Sequence, residues 1–472
     1  MDMEDQLKKY NYSNPYRFHM PGHKGKNIFS PNDEIILYGN DITEIEGMDN
    51  LHNPKGVIKD MLDQIANTYG VRRTFLSTNG STTSLHAAIL GLTNPKDQII
   101  IARDCHKAVY NALILGDLNP VYLPITFNKN IGLVNLDNLM DFETTLKDTD
   151  AKVVVITYPS YFGICCDIKE IVRIVHKYKK IIIVDEAHGS HLKFSGLLPL
   201  SAEDAGADVI IQSAHKTLPA LTQTSMLHIN TNLDTSRIES YLSILMTTSP
   251  SYLMMVSLEK SVKFMVDNAK FRLEENLNAI DKLSKEYINA GKIFKDRNYF
   301  LANNGFDFDS SKLLFRLAEV GIIATDGKKL LRKRYSIEME MANTEYINGF
   351  MTVSDEVDEL RFLFQSVDDI IRSEGSDNII DPSAYARMVV EPEIGINIRS
   401  AFYAKKTVLS LNSSTGEISG NFIIPYPPGI PLICPGERIS NELIDLINVL
   451  DKMGIEILGL ENGNIKVIKD TQ

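Results

Sequence analysis

Two residues define the chemistry this chain is equipped for. Asp185 ends an apolar run that starts at Ile181, and Lys216 follows the next such run, Asp208 to Gln212. Short continuous β-branched runs bounded by polar residues are the pattern of strands buried on both faces of a sheet. Each run therefore delivers polar groups at its carboxyl end, the edge where open α/β sheets hold their ligands. A lysine amine condenses with a carbonyl, and a carboxylate keeps a neighbouring ring nitrogen protonated so that the ring withdraws electrons. An acid after one strand and a lysine after the next suit pyridoxal phosphate.

Two other chemistries share these letters. Asp185-Glu186-Ala187-His188 is the string of a helicase nucleotide site, but such a site also needs a glycine loop ending in Gly-Lys-Ser/Thr. The nearest candidate, Gly22-His23-Lys24-Gly25-Lys26, ends in Asn27. Asp185, His188 and His191 lack the Cys-x-x-Cys or His-Glu-x-x-His spacing of a metal centre, so no metal is expected.

The elements that must position these groups alternate, strand then helix, from about Phe75 to Ile229, which predicts a mostly parallel α/β sheet with helices on both faces. Pro54 to Tyr69 places its apolar residues on one helical face, with Gly70 to close it. Thr74 to Ser84 then puts a glycine and several hydroxyls, Ser81 and Thr82 among them, ahead of an apolar helix over Leu85 to Leu92. Free N–H groups at a helix start favour an anion, so this is the expected phosphate seat. A strand over Gln98 to Ala102 ends in Arg103-Asp104-Cys105-His106-Lys107. At that sheet edge, the His106 ring is placed to stack on a planar ligand. Further strands are expected over Val121 to Pro124, Lys152 to Thr157 and Ser225 to Asn230. Asp167 and Glu170 make a capping box for a helix over Ile168 to Tyr178.

The pattern changes near Phe294. A strand over Phe306 to Asp309, a helix over Ser311 to Ala318, a strand over Ile347 to Val353 and a helix over Asp355 to Ile371 capped by Ser354 predict a small α+β domain. The proline-rich stretch Ile424 to Glu437 is expected to be an extended rod that excludes regular pairing and presents side chains.

Composition narrows the field. With 472 residues, 44% hydrophobic and 23% charged, the chain is long enough for a large core with appendages. The net charge of -12 argues against nucleic acid or an anionic membrane as partner and favours a cationic substrate. No apolar run is long enough to cross a bilayer, and the start has no basic-then-apolar signal, so a cytoplasmic place is expected. Four cysteines in a chain this long give no disulfide framework.

Taken in order, FHMPGHK (Phe18 to Lys24), NGSTT (Asn79 to Thr83), RDCHK (Arg103 to Lys107), VDEAHG (Val184 to Gly189), SAHK (Ser213 to Lys216), TSPSY (Thr248 to Tyr252) and PYPPGIPLICPGE (Pro425 to Glu437) resemble the Orn/Lys/Arg decarboxylase family. The first piece begins almost at the N-terminus, as in the shorter bacterial branch, which includes biosynthetic arginine decarboxylases. The resemblance implies the pyridoxal-phosphate fold type I, with a seven-stranded type of sheet. It implies an N-terminal arm (1–30), a cofactor-binding domain (31–290), a small α+β domain (291–378) and a C-terminal domain (379–472).

The resemblance further implies Lys216 as the Schiff-base lysine, Asp185 as the pyridinium partner, His106 as the stacking ring, and Ser81, Thr82, Ser213 and His215 as phosphate ligands. Ala187 and His188 would lie near the ring, His188 close to the substrate carboxylate. Glu437 would meet the cationic end of the substrate, with His23 nearby, and Thr248 and Ser249 would reach a neighbour's site in a homodimer. At Tyr158 many relatives carry asparagine, so a contact to the cofactor's phenolic oxygen would have to come from a phenol. The implied reaction is decarboxylation of arginine to agmatine for polyamine synthesis. Lysine or ornithine as substrate, an aminotransferase, and a non-catalytic cofactor-binding homologue are the alternatives.

Overall fold

Seven strands, four of them apolar β-branched runs, build one sheet in the computed structural model of this chain. The structure describes residues 12, 14–19, 22–24, 26, 42–44, 48–123, 125–136, 138–380, 393–426, 429–452 and 455–469. The strands are β1 (Arg73–Ser77), β2 (Gln98–Ala102), β3 (Asn119–Leu123), β4 (Val153–Thr157), β5 (Ile181–Asp185), β6 (Val209–Gln212) and β7 (Ser225–Ile229). Their order across the sheet is β1-β7-β6-β5-β4-β2-β3. All run parallel except β7, which is antiparallel to both neighbours. Residues of β4, β5 and β6 are almost all buried, as expected of strands with no solvated face. The register sets Thr157 beside Asp185 and Asp185 beside Ile211, so β4, β5 and β6 stop along one edge.

Local signals place the helices. Helix α1 (Val57–Tyr69) buries Ile58, Met61, Leu62, Ile65, Ala66 and Tyr69, and ends where Gly70 adopts the left-handed φ of 71°. Helix α2 (Gly80–Leu92) starts five residues earlier than its apolar pattern indicated, because the hydroxyl-rich segment is itself its first turn. Helix α3 (Lys107–Gly116) follows β2. Helix α4 (Ile168–Lys177) begins at Asp167, whose side chain accepts the N–H of Glu170. The methionine-rich stretch forms α5 (Tyr252–Phe264), and Met255 packs in the core.

Three expectations in the second half are corrected. The stretch expected as a helix from Ser311 is strand β8 (Lys312–Arg316), every residue of which is buried. It pairs antiparallel with β10 (Tyr346–Phe350), which also pairs with the short β9 (Met341–Ala342). A run such as Leu313-Leu314-Phe315 carries no period, so its length and pairing decide. The last long helix of this region, α6 (Val357–Glu374), starts two residues after the position that Ser354 was expected to cap. Its N-terminus is closed by a reciprocal capping box of Glu356 and Glu359.

The proline-rich stretch also departs from an isolated rod. Among the strands β11 (Lys406–Ser410), β12 (Ile424–Tyr426), β13 (Glu456–Leu458) and β14 (Asn464–Ile468), β12 pairs antiparallel with β13, and Pro425 sits opposite Ile457. A two-stranded ribbon has an outer side on which a proline sacrifices no ladder bond. Ile423, Ile424 and Ile433 are buried, and Ile423 and Ile433 join a separate apolar cluster with Ile439, Leu443 and Ile447 of helix α7 (Asn441–Lys452) and its approach.

Met20, Pro21, Gly25, Pro124, Pro427 and Pro428, named in the sequence reading, lie outside the described residues, as does the boundary expected after residue 30. The boundary expected after residue 290 falls inside a short helix, Ile288–Ile293. Among the described residues no helix is long and apolar enough to cross a membrane.

Candidate active site

The carboxyl ends of β5 and β6 bring Asp185 and Lys216 into each other's electrostatic field. Beyond β6 a single helical turn, Ala214–Thr217, carries Lys216. Burial lowers the Lys216 ammonium from its ordinary value, while Asp185 and Glu340 act to keep it charged. Burial raises the Asp185 carboxyl, opposed by Lys216 and by the Ala187 N–H, which donates to Oδ1 at 3.2 Å. Nζ of Lys216 also lies 2.9 Å from Nε2 of His188. The buried His188 ring meets Tyr161 and Phe350 edge-on, at 5.0 and 5.6 Å between centroids. Burial, followed by the charge of Lys216, holds this imidazole neutral.

Beside this pair lies a nest of hydroxyls. Ser81 in the first turn of α2 hydrogen-bonds Ser213, and its Oγ is 3.3 Å from Ser225, which Ser84 also approaches at 3.1 Å. Asn79 makes no side-chain cap to α2, and Gly80 has a φ of 74° with open space where a Cβ would project. Thr82 is exposed on the same turn. A helix start with uncapped N–H groups and converging hydroxyls is a seat for a phosphate. Ser225 was not singled out from the sequence. It opens a strand, and only the reversed direction of β7 carries it to this edge.

His106 caps α3, its Nδ1 accepting the Ala108 N–H at 3.2 Å. Loss of surrounding water, together with the charges of Lys216 and Lys107, brings the His106 imidazole down to about 4. A Cβ on Gly429 would come within 3.7 Å of the ring, so the proline-rich segment of the same chain flanks His106.

Three sequence-expected residues, Glu437, Tyr158 and His215, have partners within the chain. Glu437 is buried and occupied: Oε2 accepts Arg103 at 3.2 Å and the Cys434 N–H at 2.7 Å, and Oε1 accepts the Tyr122 hydroxyl at 2.8 Å. The expected contact with a substrate cation is therefore corrected to a buried structural ion pair. Tyr158 turns its hydroxyl away from the sheet edge to donate to the Leu200 carbonyl at 2.6 Å, which removes it as a cofactor contact. His215 spends Nδ1 on the Thr224 carbonyl, 3.0 Å away. Thr248 and Ser249 are exposed on the single chain.

The N-terminal motif reaches the site through its glycine. The Gly22 N–H donates to the His215 carbonyl at 2.8 Å, and the Gly22 carbonyl accepts the Thr352 hydroxyl at 2.9 Å. His23, next to the buried Lys24, lowers His215 through its charge. Lys24 donates to the Phe350 carbonyl at 2.7 Å.

Two groups missed by the sequence reading also belong here. Glu340, between Met339 and Met341, accepts the Tyr161 hydroxyl at 2.7 Å, and its charge is felt at Lys24, Lys216 and Lys312. Lys312 opens β8 fully buried, with Nζ 3.8 Å from the Phe350 ring centroid. Both lie far along the chain from the strand-end motifs, and no local pattern distinguishes them.

A family model described as the Orn/Lys/Arg decarboxylase major domain matches residues 3–304, and that of the family's C-terminal domain matches residues 388–464. An arginine decarboxylase of Bacillus subtilis (strain 168) is 31% identical over 470 residues, covering 98% of this chain and 96% of that protein. An arginine decarboxylase of Halalkalibacterium halodurans is 30% identical over 466 residues, covering 97% and 94%. Among solved structures, a lysine decarboxylase of Francisella novicida superposes with a TM-score of 0.76 at 19% identity, over 98% of this chain and 83% of that one. The architecture is fold type I, and the match of both family models in sequence order shows that this chain belongs to the Orn/Lys/Arg decarboxylase family.

Proposed function

We propose that this chain is a pyridoxal 5′-phosphate-dependent decarboxylase of a basic L-amino acid, with arginine as its substrate and agmatine and CO2 as products. The observation that carries the reading is the mutual influence of Lys216 and Asp185 at one sheet edge. The arginine decarboxylases that are about 30% identical over nearly the whole chain favour arginine over lysine or ornithine.

The residues present fit the cofactor. Its aldehyde would be held by Lys216, its ring nitrogen by Asp185, and its ring face by His106, with Ala187 alongside. Its phosphate would be held by Ser81, Thr82, Ser213, Ser225 and the start of α2, with His215 bracing the Lys216 turn. When bound, pyridoxal phosphate supplies an aldehyde and an electron-withdrawing ring.

The chain's own residues do the rest. Asp185, whose Oδ1 accepts the Ala187 N–H, would hold the ring nitrogen of the cofactor protonated. His188, neutral and in contact with Lys216, would face the departing carboxylate. Lys216 returns a proton to the carbon that CO2 leaves. Glu340 provides an acceptor-only partner for the far cation of the substrate. Tyr161 orients that carboxylate.

The test is CO2 release with arginine, lysine and ornithine in turn, by the native chain and by Lys216→Ala. Release fastest with arginine, together with loss of both turnover and visible cofactor absorbance in the variant, is the expected result. Turnover retained without Lys216 would overturn the reading. A homodimer with shared sites, in which Thr248 and Ser249 reach the partner, and a cytoplasmic role in polyamine synthesis belong to the same proposal. Light scattering of the purified chain tests the first of these.

A further inference from the structure

Among the described residues, Lys312 and His188 each bury a nitrogen with no hydrogen-bond partner, Nζ of the first and Nδ1 of the second. An unsatisfied buried donor or acceptor costs about 1–3 kcal/mol, so two near the same site call for a reason. Both groups pack on one ring. Nζ of Lys312 is 3.8 Å from the Phe350 centroid, and the His188 ring meets the same Phe350 at 5.6 Å and 78°. The other nitrogen of His188 faces Lys216 at 2.9 Å. The imidazole thus faces Lys216 and shares the Phe350 ring with Lys312, whose Nζ also lies 3.8 Å from Oδ2 of Asp309.

Burial works against full charge on both lysines. Burial, with Lys216 and Lys24 nearby, brings Lys312 down to about 8 against the pull of Asp309 and Glu340. Lys216 is lowered by burial against Asp185 and Glu340. His188 faces Lys216, Lys312, His106 and His215, and stays neutral. A neutral imidazole carries one N–H and one lone pair, and which nitrogen holds which is decided by the neighbours.

We propose that Lys312 is a positioning residue for the Lys216 amine. Through one water, its own amine engages Nδ1 of His188, so that a single proton resides on either Lys216 or Lys312 while His188 changes tautomer between them. In one state the Lys216 ammonium donates to Nε2, and Nδ1–H donates by way of the water to a neutral Lys312. In the other, Lys216 is the free amine, Nε2–H donates to it, and Lys312 is the ammonium donating by way of the water to Nδ1. One N–H bond forms at Nε2 as one breaks at Nδ1, and the total charge is unchanged. The use of this device rests on the reading of Lys216 as the reacting amine: its proton is stored close by and can be returned.

The test needs neither cofactor nor turnover, so it is independent of whether that reading holds. The cofactor-free full-length chain is treated with trace acetic anhydride across a pH series, and acetylation of Lys216 is read by peptide mass spectrometry. Two steps in the Lys216 curve, at least about one pH unit apart, are expected for a shared proton. His188→Phe and Lys312→Met should each merge them into one. A single step in the unmodified chain overturns the proposal, as do two steps that survive His188→Phe, since these would mean a charge effect through space. Circular dichroism checks each variant, and should Lys312→Met not fold, the His188→Phe comparison decides alone.

Discussion

Arg103 and Glu437 form a buried ion pair, 3.2 Å from nitrogen to oxygen, that ties the proline-rich segment to the end of β2 beside His106. The guanidinium also donates to the Pro431 and Leu432 carbonyls at 3.0 Å, so a single side chain holds the segment at several points. Removing one partner of a buried pair strands the other charge and costs about 3–5 kcal/mol. Glu437→Ala is expected to lose that much stability in denaturant unfolding. Its KM for arginine, measured at a temperature where it is folded, should change by less than about threefold, under 1 kcal/mol. A large rise in KM with unchanged stability would return Glu437 to the substrate.

On the proposed function, Glu340 accepts the far end of a basic amino acid. Hydrogen bonds to charged groups contribute about 1.5–3 kcal/mol, which corresponds to roughly 10–100-fold in kcat/KM. Glu340→Gln should lose that factor with arginine while an uncharged analogue of the same length, citrulline, is little affected. Equal losses with both compounds would assign Glu340 to the framework.

Gly22 has no room for a side chain. A Cβ there would lie 2.5 Å from the carbonyl oxygen of Leu218, two residues past Lys216. Overpacking of this kind costs about 1–3 kcal/mol and shifts backbone. Gly22→Ala is expected to displace the Lys216 turn, lowering cofactor affinity in an absorbance titration by about tenfold or more, 1.4 kcal/mol being one factor of ten. Native-like affinity would show that the loop yields instead.

Behind the sheet edge, Glu186 accepts the Ala202 N–H at 2.8 Å and the Gln212 amide at 2.6 Å, close to the buried Glu203. Burial, followed by the charge of Glu203, raises Glu186, and burial brings Glu203 up to about 7 from its ordinary 4.5 against its hydrogen bond with Glu186. The folded state therefore binds more protons than the unfolded chain. The stabilisation is full below about pH 4.5 and is lost as pH rises toward 7. Glu203→Gln should flatten the fall in unfolding free energy across that window relative to the native chain. An unchanged slope would remove Glu203 as its source.

Much of the sheet was legible because its central strands are self-contained apolar runs. Gln98–Ala102 and Ile181–Asp185 fall where the sequence puts them, and the groups read from strand ends, Asp185, His106, Ser213 and Lys216, gather along one edge. Capping chemistry marked α4 through Asp167, and amphipathic spacing marked α1. What escaped depends on tertiary pairing. The aperiodic Leu313-Leu314-Phe315 gave no signal to distinguish strand from helix, and Glu340 and Lys312 enter the site only because the small sheet is folded against Phe350 and Tyr161. Glu437 was misread because its motif marks a position in the chain but cannot reveal that Arg103 and Tyr122 already fill its oxygens.

The one strand of the large sheet that runs against the others has a consequence for how such a pocket is assembled. In an all-parallel sheet the amino-terminal residues of every strand lie at the far rim, remote from any ligand. Reversing a single strand turns its opening residue, Ser225, into a wall of the anion seat, so a polar group that begins a strand can serve the same ligand as those that end its neighbours.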